Sequence, residues 1–259
     1  MTTLEPANQN RLETKLQKLN RLRPLPGSAV KKLQKQFEIE MTYNSNGIEG
    51  NSLTLKETYL VIQEGITIKN KPLKDHLEAR GHYEALEFIA DLVAHEKRHT
   101  LSERLIRELH TLVIQLTEKE WAGRYRNANA MIIGARHKPP DALEVPKQMT
   151  DLVTWFHKAR TKLHPVELAA IFHHRFVHIH PFFDGNGRVG RLLMNVLLMQ
   201  QGYPITVVLK NERKKYYDAL ERADGRDPGP LVRFIARNVE RSLDIYLKTL
   251  TPSDQRMEN

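Results

Sequence analysis

The stretch that decides the fold is PVELAAIFHHRFVHIHPFFDGNGRVGRLLMNVLLMQQG, which runs from Pro165 to Gly202. Its first part opens with proline at the first position of a predicted helix, where a backbone N–H has no partner anyway. Pro181, Gly185 and Gly187 then interrupt the helical pattern. The second part is apolar on nearly every side, which is typical of a helix in the buried centre of a fold. We therefore predict two central helices joined by a short glycine-containing loop.

Helical periodicity continues on both sides of this stretch and indicates a mainly all-α fold. Leucines three and four positions apart predict amphipathic helices, and Ser52 or Thr54 is a candidate N-cap for one of them. The predicted helices lie at about residues 9–22, from 28 to beyond 41, 54–65, 75–96, 102–116, 144–162, 165–179, 188–202, 212–223 and 228–250.

The segment GRYRNANAMIIGARHKPP, Gly123–Pro140, departs from this pattern. Its residues from Met131 to Gly134 favour β structure, and two prolines close it. We predict a small β-hairpin flap here and a short extended piece at Pro204–Leu209.

The composition limits the classes of function. The 259 residues are 40% apolar and contain no cysteine, which excludes a disulfide framework and a thiolate metal site. The N-terminus lacks the apolar core of a signal peptide, and no stretch reaches the ~20 apolar residues of a membrane span. We expect a cytoplasmic protein without a membrane partner. The net charge of +9 is explained by solvated helix faces such as EKRHTLSERLIREL, so we expect no nucleic-acid partner.

The loop between the central helices, within HPFFDGNGRVGR at His180–Arg191, carries residues suited to phosphate chemistry. A Gly-Asn-Gly turn at a helix start can direct backbone N–H groups at an anion, and the helix dipole adds positive charge. Arg188 and Arg191 are three residues apart and share one helix face. Two guanidinium groups beside such a nest suit a polyphosphate.

Two further side chains complete this candidate site. Asp184 is a hard oxygen ligand suited to a Mg²⁺ ion that bridges phosphates. Histidine titrates near neutrality, so His180 suits a general base that removes a hydroxyl proton. Each residue alone has an ordinary structural explanation, but charges on an otherwise apolar helix require partners. The set predicts phosphoryl or nucleotidyl transfer.

These residues resemble the signature of the Fic-domain (Fido) family, HPFx(D/E)GNGRxxR. The fixed positions are matched by His180, Pro181, Phe182, Asp184, Gly185, Asn186, Gly187, Arg188 and Arg191. The resemblance extends over about residues 40–247. It implies a helical Fic fold with a hairpin flap over the active site. It also implies an enzyme that uses ATP with Mg²⁺, or Mn²⁺, to place AMP on a Ser, Thr or Tyr hydroxyl of a protein.

The resemblance implies a role for each matching residue. His180 would deprotonate the target hydroxyl, and Asp184 would hold Mg²⁺. The backbone of Gly185–Gly187, together with its asparagine, would bind phosphate oxygens. Arg191 would hold the γ-phosphate, and Arg188 would support the phosphate site.

Further ATP contacts are implied in the flap and after the central helices. The residues concerned are Ile132, Ile133, Gly134, Tyr216 and Asp224. Asp224 replaces an asparagine that close members of the family have at this position.

The segment SNGIEGN, Ser45–Asn51, resembles the family's inhibitory signature (S/T)xxxE(G/N) at Ser45, Glu49 and Gly50. The ordinary alternative is a helix C-terminus, since asparagine and glycine end helices. The resemblance implies that Glu49 pairs with Arg191 in the place of the γ-phosphate, so that the protein is autoinhibited. Some members of the family also remove AMP, and the sequence leaves this open.

We expect N-terminal helices with the inhibitory motif 45–50 in residues 1–70, the Fic catalytic core in residues 71–250 and a flexible tail in residues 251–259. The expected partners are a protein substrate with a hydroxyl group, the chain itself included, and a second copy in a homodimer.

Three alternatives stay open. A metal-dependent phosphohydrolase would use the cluster of His173, His174, His178, His180 and Asp184, but it leaves the two arginines unexplained. A non-enzymatic regulator would bind nucleotides or nucleic acid through the positive charge. A transferase of the same fold would carry UMP, phosphate or phosphocholine instead of AMP.

Overall fold

The computed structural model describes residues 3–23, 27–95, 101–132 and 136–251, and these ranges contain ten α-helices, three single-turn 3₁₀ helices and no strand. The all-α class is confirmed. The helices are α1 (Pro6–Arg21), α2 (Gly27–Ile48), α3 (Leu55–Gln63), α4 (Leu73–His95), α5 (Glu103–Ile114), α6 (Val145–Ala159), α7 (Pro165–Ile179), α8 (Asn186–Met199), α9 (Arg213–Asp224) and α10 (Gly229–Leu250).

The centre of the fold is the pair α7 and α8, as predicted. Nearly every side chain of α8 is buried, while α4 and α5 pack on α8, and α6 and α10 pack on α7. Gly190 allows the central pair to approach closely, because a Cβ there would lie 2.9 Å from Val177 Cγ1 and 3.0 Å from His173 Nδ1. This packing fixes the loop that joins α7 to α8. In the described part of the chain, no helix combines the length and apolar character needed to span a bilayer.

The N-terminal helices pack directly on this core. Helix α1 lies along α10, where Lys15 pairs with Glu240 (2.9 Å) and Asp244 (2.6 Å). Helix α2 packs on α4, α8 and α10. The division at residue 70 stays a prediction, and of the predicted tail, 251–259, residues 252–259 lie outside the described residues.

Of the two candidate N-caps, Ser52 and Thr54, the one that caps α3 is Thr54. Its hydroxyl accepts a hydrogen bond from Glu57 N (3.2 Å), and the Glu57 carboxylate accepts one from Thr54 N (2.7 Å), which forms a capping box. The alternative residue, Ser52, instead donates from its hydroxyl to Asp75 Oδ2 (2.6 Å).

The β-hairpin predicted at Gly123–Pro140 is not observed. The described part of this segment, 123–132 and 136–140, contains no strand, and residues 133–135 lie outside the described residues. Arg126 binds the backbone of this segment. Its backbone N–H donates to Pro181 O (2.9 Å), and its guanidinium donates to Ala128 O (3.1 Å) and Pro140 O (2.5 Å). The prolines at the end of the segment have no N–H to offer a neighbouring strand.

The extended piece predicted at Pro204–Leu209 is not paired as a strand either. Side chains bond to its backbone instead: Asn195 Oδ1 accepts from Thr206 N (2.7 Å), Asn195 Nδ2 donates to Thr206 O (3.0 Å), and Arg241 donates to Val207 O (2.5 Å).

Candidate active site

The loop between α7 and α8 turns twice through left-handed backbone conformations. His180 follows α7 with φ 50°, and Gly185 precedes α8 with φ 79°. Asn186 clamps the loop with both ends of its amide, since Oδ1 accepts from Phe182 N (2.9 Å) and Nδ2 donates to Phe182 O (2.8 Å). The Asn186 side chain is therefore a structural brace. In this conformation the Asn186 amide is not available to an anion, and the Gly185 N–H donates to Asp184 Oδ1 (2.6 Å).

His110 of α5 supports the loop, and sequence analysis did not find it. Its ring stacks on Phe182 at a centroid distance of 3.5 Å. Nδ1 accepts from Gly123 N (3.0 Å), which makes Nε2 the donor to the Asp184 carbonyl (3.1 Å). Burial lowers the pKa of His110 to about 4, so the neutral ring keeps this tautomer at neutral pH. His110 lies 74 residues before Asp184, and no local pattern links the two.

His180 lies half-buried at the edge of the loop and is kept neutral. Burial lowers its pKa to about 4, the charge of Arg126 acts in the same direction, and the Val177 backbone and the Glu49 charge oppose the shift. Arg126 also donates from Nε to the His180 carbonyl (2.9 Å), a role that the sequence did not reveal. A neutral imidazole is the form that can accept a proton, as a general base must.

The other histidines near the loop belong to separate hydrogen-bond networks. His173 Nε2 bonds to the Tyr216 hydroxyl (2.7 Å), and burial lowers the pKa of His173 to about 3. His174 Nε2 and His178 Nδ1 both bond to Asp224 Oδ1, at 2.9 and 2.7 Å. The five-residue cluster of the phosphohydrolase alternative is thus divided among different partners, which argues against that alternative.

Arg188 has a side chain only 1% exposed and is held by two carboxylates. Nη2 donates to Asp184 Oδ2 (2.9 Å), and Nη1 lies 3.3 Å from Glu78 Oε1 of α4, an ion pair without hydrogen-bond geometry. Burial would raise the pKa of Asp184, but Arg188 and the Gly185 N–H lower it overall, so the carboxylate stays ionised. Glu78 is a site residue that no sequence pattern marked.

Arg191, one turn further along α8, is equally buried, and its partners come from the end of α2. Nε donates to Ser45 Oγ (3.0 Å), and Nη2 donates to the Ser45 carbonyl (2.8 Å) and to Glu49 Oε1 (2.7 Å). Its third nitrogen, Nη1, is buried without a hydrogen-bond partner.

The Glu49 carboxylate lies directly against the backbone of Gly187. A Cβ at Gly187 would collide with Glu49 Oε1 and would lie 3.1 Å from Arg191 Nη1, so glycine is what leaves room for an acidic group here. The Nη1 atom of Arg191, which has no hydrogen-bond partner, and the backbone of Gly187, which carries no side chain of its own, together form what we call the anion cradle. Such a cradle has the chemistry to hold phosphate oxygens, and in this structure it holds a carboxylate of the same chain.

The end of α2 that carries this carboxylate is hydrogen-bonded to the first residue of α9 and to the turn just before it. Arg213 Nε donates to the Ile48 carbonyl (2.7 Å), and the Lys210 N–H donates to Asn44 Oδ1 (2.8 Å). A cation at a helix C-terminus is favourable because it meets the negative end of the dipole. Gly50, with φ 103°, then turns the chain away from the helix.

The two neighbouring tyrosines of α9, Tyr216 and Tyr217, differ in their exposure to solvent. Tyr216 is 1% exposed, and its ring centroid lies 5.9 Å from Arg191 Cζ. Its neighbour Tyr217 is 36% exposed and lies under the Arg213 guanidinium at 4.7 Å. Tyr217 is therefore the more accessible ring, although the sequence drew attention only to Tyr216. The contacts of Tyr216 and Asp224 with ATP stay predictions.

Of the predicted flap contacts, Ile132 is half-buried, and Ile133 and Gly134 lie outside the described residues. Their assignment to ATP stays a prediction.

Asp184 is the side chain whose chemistry fits Mg²⁺. Its side chain is 39% exposed beside the anion cradle, with Lys74 Nζ at 4.0 Å. One carboxylate is a usual protein contribution to a Mg²⁺ ion that is otherwise bound by phosphate oxygens and water.

The sequence is similar to known proteins along most of its length. The sequence profile of the Fic/DOC family matches residues 100–198. A protein adenylyltransferase Fic from Aedes aegypti is 38% identical over 248 residues, which are 94% of this chain and 49% of the relative. A protein of the same name from Nematostella vectensis is 34% identical over 247 residues, with 94% and 57% covered. The chain thus spans about half the length of the curated relatives it matches.

The fold is similar to solved structures over nearly the same range. A Fic domain containing signaling protein from Bacteroides thetaiotaomicron has a TM-score of 0.86 at 32% identity, covering 93% of this chain and 96% of that one. Fic-1 from C. elegans has a TM-score of 0.84 at 30% identity, with 94% and 71% covered. The likeness therefore includes the helices around the loop as well as the loop itself.

Proposed function

The chain belongs to the Fic/DOC family, and on this basis we propose that it is a protein adenylyltransferase, an enzyme that transfers AMP from ATP to a protein hydroxyl group. The observation that carries the proposal is the anion cradle of Gly187 and Arg191, whose bound carboxylate, Glu49, acts electrostatically on the neutral His180. Positioned phosphate binding and a base for the attacking hydroxyl are the two requirements of nucleotidyl transfer. The similarity to proteins named protein adenylyltransferase Fic supports the same activity.

In the proposed reaction, the hydroxyl oxygen of the target attacks the α-phosphorus of ATP while His180 accepts the hydroxyl proton. A P–O bond to the target forms, the bond from the α-phosphorus to the bridging oxygen breaks, and pyrophosphate leaves. The pKa of His180, lowered to about 4, keeps the ring neutral before the reaction and lets it return the proton to water afterwards.

We assign ATP to the cradle, with the γ-phosphate at Arg191 and other phosphate oxygens on the backbone of Gly185–Gly187. Asp184 would hold Mg²⁺, for which Mn²⁺ can substitute, and the ion would neutralise phosphate charge when bound. Arg188 keeps Asp184 ionised and oriented for this role.

Glu49 restrains this activity in the proposed mechanism. Its carboxylate lies against Gly187 and pairs with Arg191 at 2.7 Å, in the space assigned to the γ-phosphate. Two anions cannot share this space, because each would lose its cation and repel the other. ATP would therefore bind weakly or in an unproductive position until Glu49 moves away.

Serine, threonine and tyrosine hydroxyl groups are the proposed acceptors, including those on the chain itself. Removal of AMP and assembly into a homodimer stay predictions.

The test uses ATP labelled with ³²P at the α-phosphate, Mg²⁺, a cell lysate as a source of targets, and four proteins. They are the wild type, Glu49→Gly, His180→Ala and the double variant. We expect strong protein labelling by Glu49→Gly, weak labelling by the wild type and none by the two proteins that lack His180. The double variant is the matched control, because it shares the opened cradle and differs only in the base.

Absence of label in every protein, with ATP still bound, would overturn AMP transfer. Label that appears only from ATP carrying ³²P at the γ-phosphate would assign phosphate transfer instead.

A further inference from the structure

Outside the proposed catalytic loop, the side chains of His137, His178 and Asp224 converge. One potential ligand atom from each of the three lies within 4.8 Å of the others, and no other group of three meets this criterion in the described residues. The three belong to separate parts of the chain, namely the segment before α6, the last turn of α7 and the end of α9. The histidine cluster that the sequence marks in this region does not include His137.

Hydrogen bonds already orient these side chains. His137 Nε2 donates to the His178 carbonyl (2.7 Å), which leaves Nδ1 as the unprotonated nitrogen of a neutral ring. The His137 and His178 rings stack at 3.8 Å with an angle of 24° between their planes, so one ring must tilt before both can face the same ion. His174 Nε2 bonds to Asp224 Oδ1 at 2.9 Å, the same oxygen that His178 contacts, so it holds the carboxylate beside His178. Hydrogen bonds to a ligand residue are the usual support of a metal site.

The cluster is also accessible. The His178 side chain is 39% exposed and that of Asp224 is 24% exposed, so an ion can enter from solvent.

We propose that His137, His178 and Asp224 bind one divalent transition-metal ion, for which Zn²⁺ is the best fit, with His174 as the residue that positions Asp224. Two imidazole nitrogens and one carboxylate oxygen are common Zn²⁺ ligands at about 2.0–2.2 Å. His178 Nδ1 and Asp224 Oδ1 now share a hydrogen bond at 2.7 Å, so the ion would replace the proton between them. Three protein ligands leave a fourth position for water.

This site shares no residue with the Mg²⁺ position proposed at Asp184, and its chemistry differs, although one of its ligands, Asp224, is also a predicted ATP contact. Magnesium prefers oxygen ligands in octahedral geometry, whereas imidazole nitrogen selects zinc, copper, nickel or iron. A bound ion would link the segment of His137 to α7 and α9. Its ligand on α7, His178, lies two residues before His180 in the chain.

The experiment measures metal binding by the full chain, prepared without a histidine tag and stripped with a chelator. Zn²⁺ is titrated by calorimetry, and Co²⁺ is added separately to report the ligand geometry through its visible absorption. We expect one Zn²⁺ ion per chain and a raised unfolding temperature when it is bound. Asp224→Asn and His178→Gln should each weaken binding at least about tenfold. His174→Gln should weaken it too, because Asp224 would lose its orienting partner.

Two control variants make the result specific. His157→Gln removes a histidine of α6 outside the cluster, and Asp184→Asn removes the proposed Mg²⁺ ligand; both should leave Zn²⁺ binding unchanged. If circular dichroism shows that Asp224→Asn is unfolded, loss of Zn²⁺ binding is tested with His137→Gln instead. His137 lies outside the helices, so this change should disturb the fold least. Binding that is absent in the wild type, or that survives the loss of any of the three ligands, overturns the proposal. Binding that is lost in Asp184→Asn overturns it as well, since the ion would then lie at the loop.

Discussion

Arg188 and Arg191 lie on one face of α8, and each side chain is 1% exposed, yet their partners differ in origin and number. Arg188 pairs with Asp184, four residues before it, and with Glu78 of α4. Arg191 pairs with one carboxylate, that of Glu49, which precedes it by 142 residues.

The difference separates a permanent ion pair from a replaceable one. Two carboxylates surround Arg188, and the Glu78 side chain is only 11% exposed, so this network is part of the folded loop. Glu49 is 31% exposed, and it is the single carboxylate that pairs with Arg191 in the described residues. A buried cation with a single, partly exposed carboxylate can exchange that carboxylate for another anion, such as a phosphate.

The largest expected effect is that of Arg188→Ala on stability. Removing this guanidinium leaves Asp184 and Glu78 with only Lys74 as an ion-pair partner in the described residues, whose Nζ lies 4.0 and 3.8 Å from them, and breaking such a partly buried network costs about 3 kcal/mol in the free energy of unfolding. Urea denaturation at neutral pH measures the loss. Arg191→Ala is the matched variant, and it should lose less because Glu49 can turn into water. Equal losses in the two variants would contradict the comparison.

Next in size is the effect of Arg191→Ala on catalysis in the opened protein. In the Glu49→Gly background it should lower AMP transfer by about 10²–10³-fold, the usual loss when one charge-stabilising donor is removed. Initial rates with α-labelled ATP measure the change, and circular dichroism confirms that the variant is folded. Undiminished transfer would show that the cradle does not hold the phosphates.

A smaller effect is expected from neutralising the carboxylate of each pair in turn. Glu49→Gln keeps the size of the side chain but removes its charge, so AMP transfer should rise by about tenfold or more, which corresponds to roughly 1.4 kcal/mol. Glu78→Gln is the control on the other arginine and should produce no rise. If Glu78→Gln became more active, alone or together with Glu49→Gln, the assignment of Glu49 and Arg191 as the replaceable pair would be wrong.

The smallest effect concerns pH. The base, His180, should set the pH profile of kcat/KM for Glu49→Gly. Burial lowers the pKa of His180 to about 4, and the reactive form is the neutral one, which predominates above that pKa. The profile should therefore stay nearly flat from pH 8 to about 6 and fall only at about 4 or below, because Glu49→Gly removes a charge that raises this pKa. A halving of the rate near the ordinary histidine pKa of about 6.5 would contradict this assignment.

Most of the fold could be predicted from the sequence because its signals are local. The helical class, the central pair α7 and α8, and the Thr54 cap follow from periodicity and capping residues a few positions apart. The hairpin predicted at Gly123–Pro140 is not observed in the described residues of this segment, and the structure suggests a tertiary reason. A buried arginine, Arg126, binds the backbone of this segment, and no β propensity reports such a partner.

The candidate site divides in the same way. Its loop residues stand together in the sequence, whereas His110, Glu78 and Arg126 reach it from distant segments and carry no motif. Asp224 was expected at ATP, yet the fold gives it two histidine partners from α7.

By itself, the sequence determined the loop and the two helices that hold it, because a proline start, paired glycines and a continuous apolar run act within a few residues of one another. Only the tertiary structure decided which carboxylate each arginine meets. The packing of α4 and α2 against α8 sets those distances, and the attraction between opposite charges depends on distance in space rather than on separation along the chain.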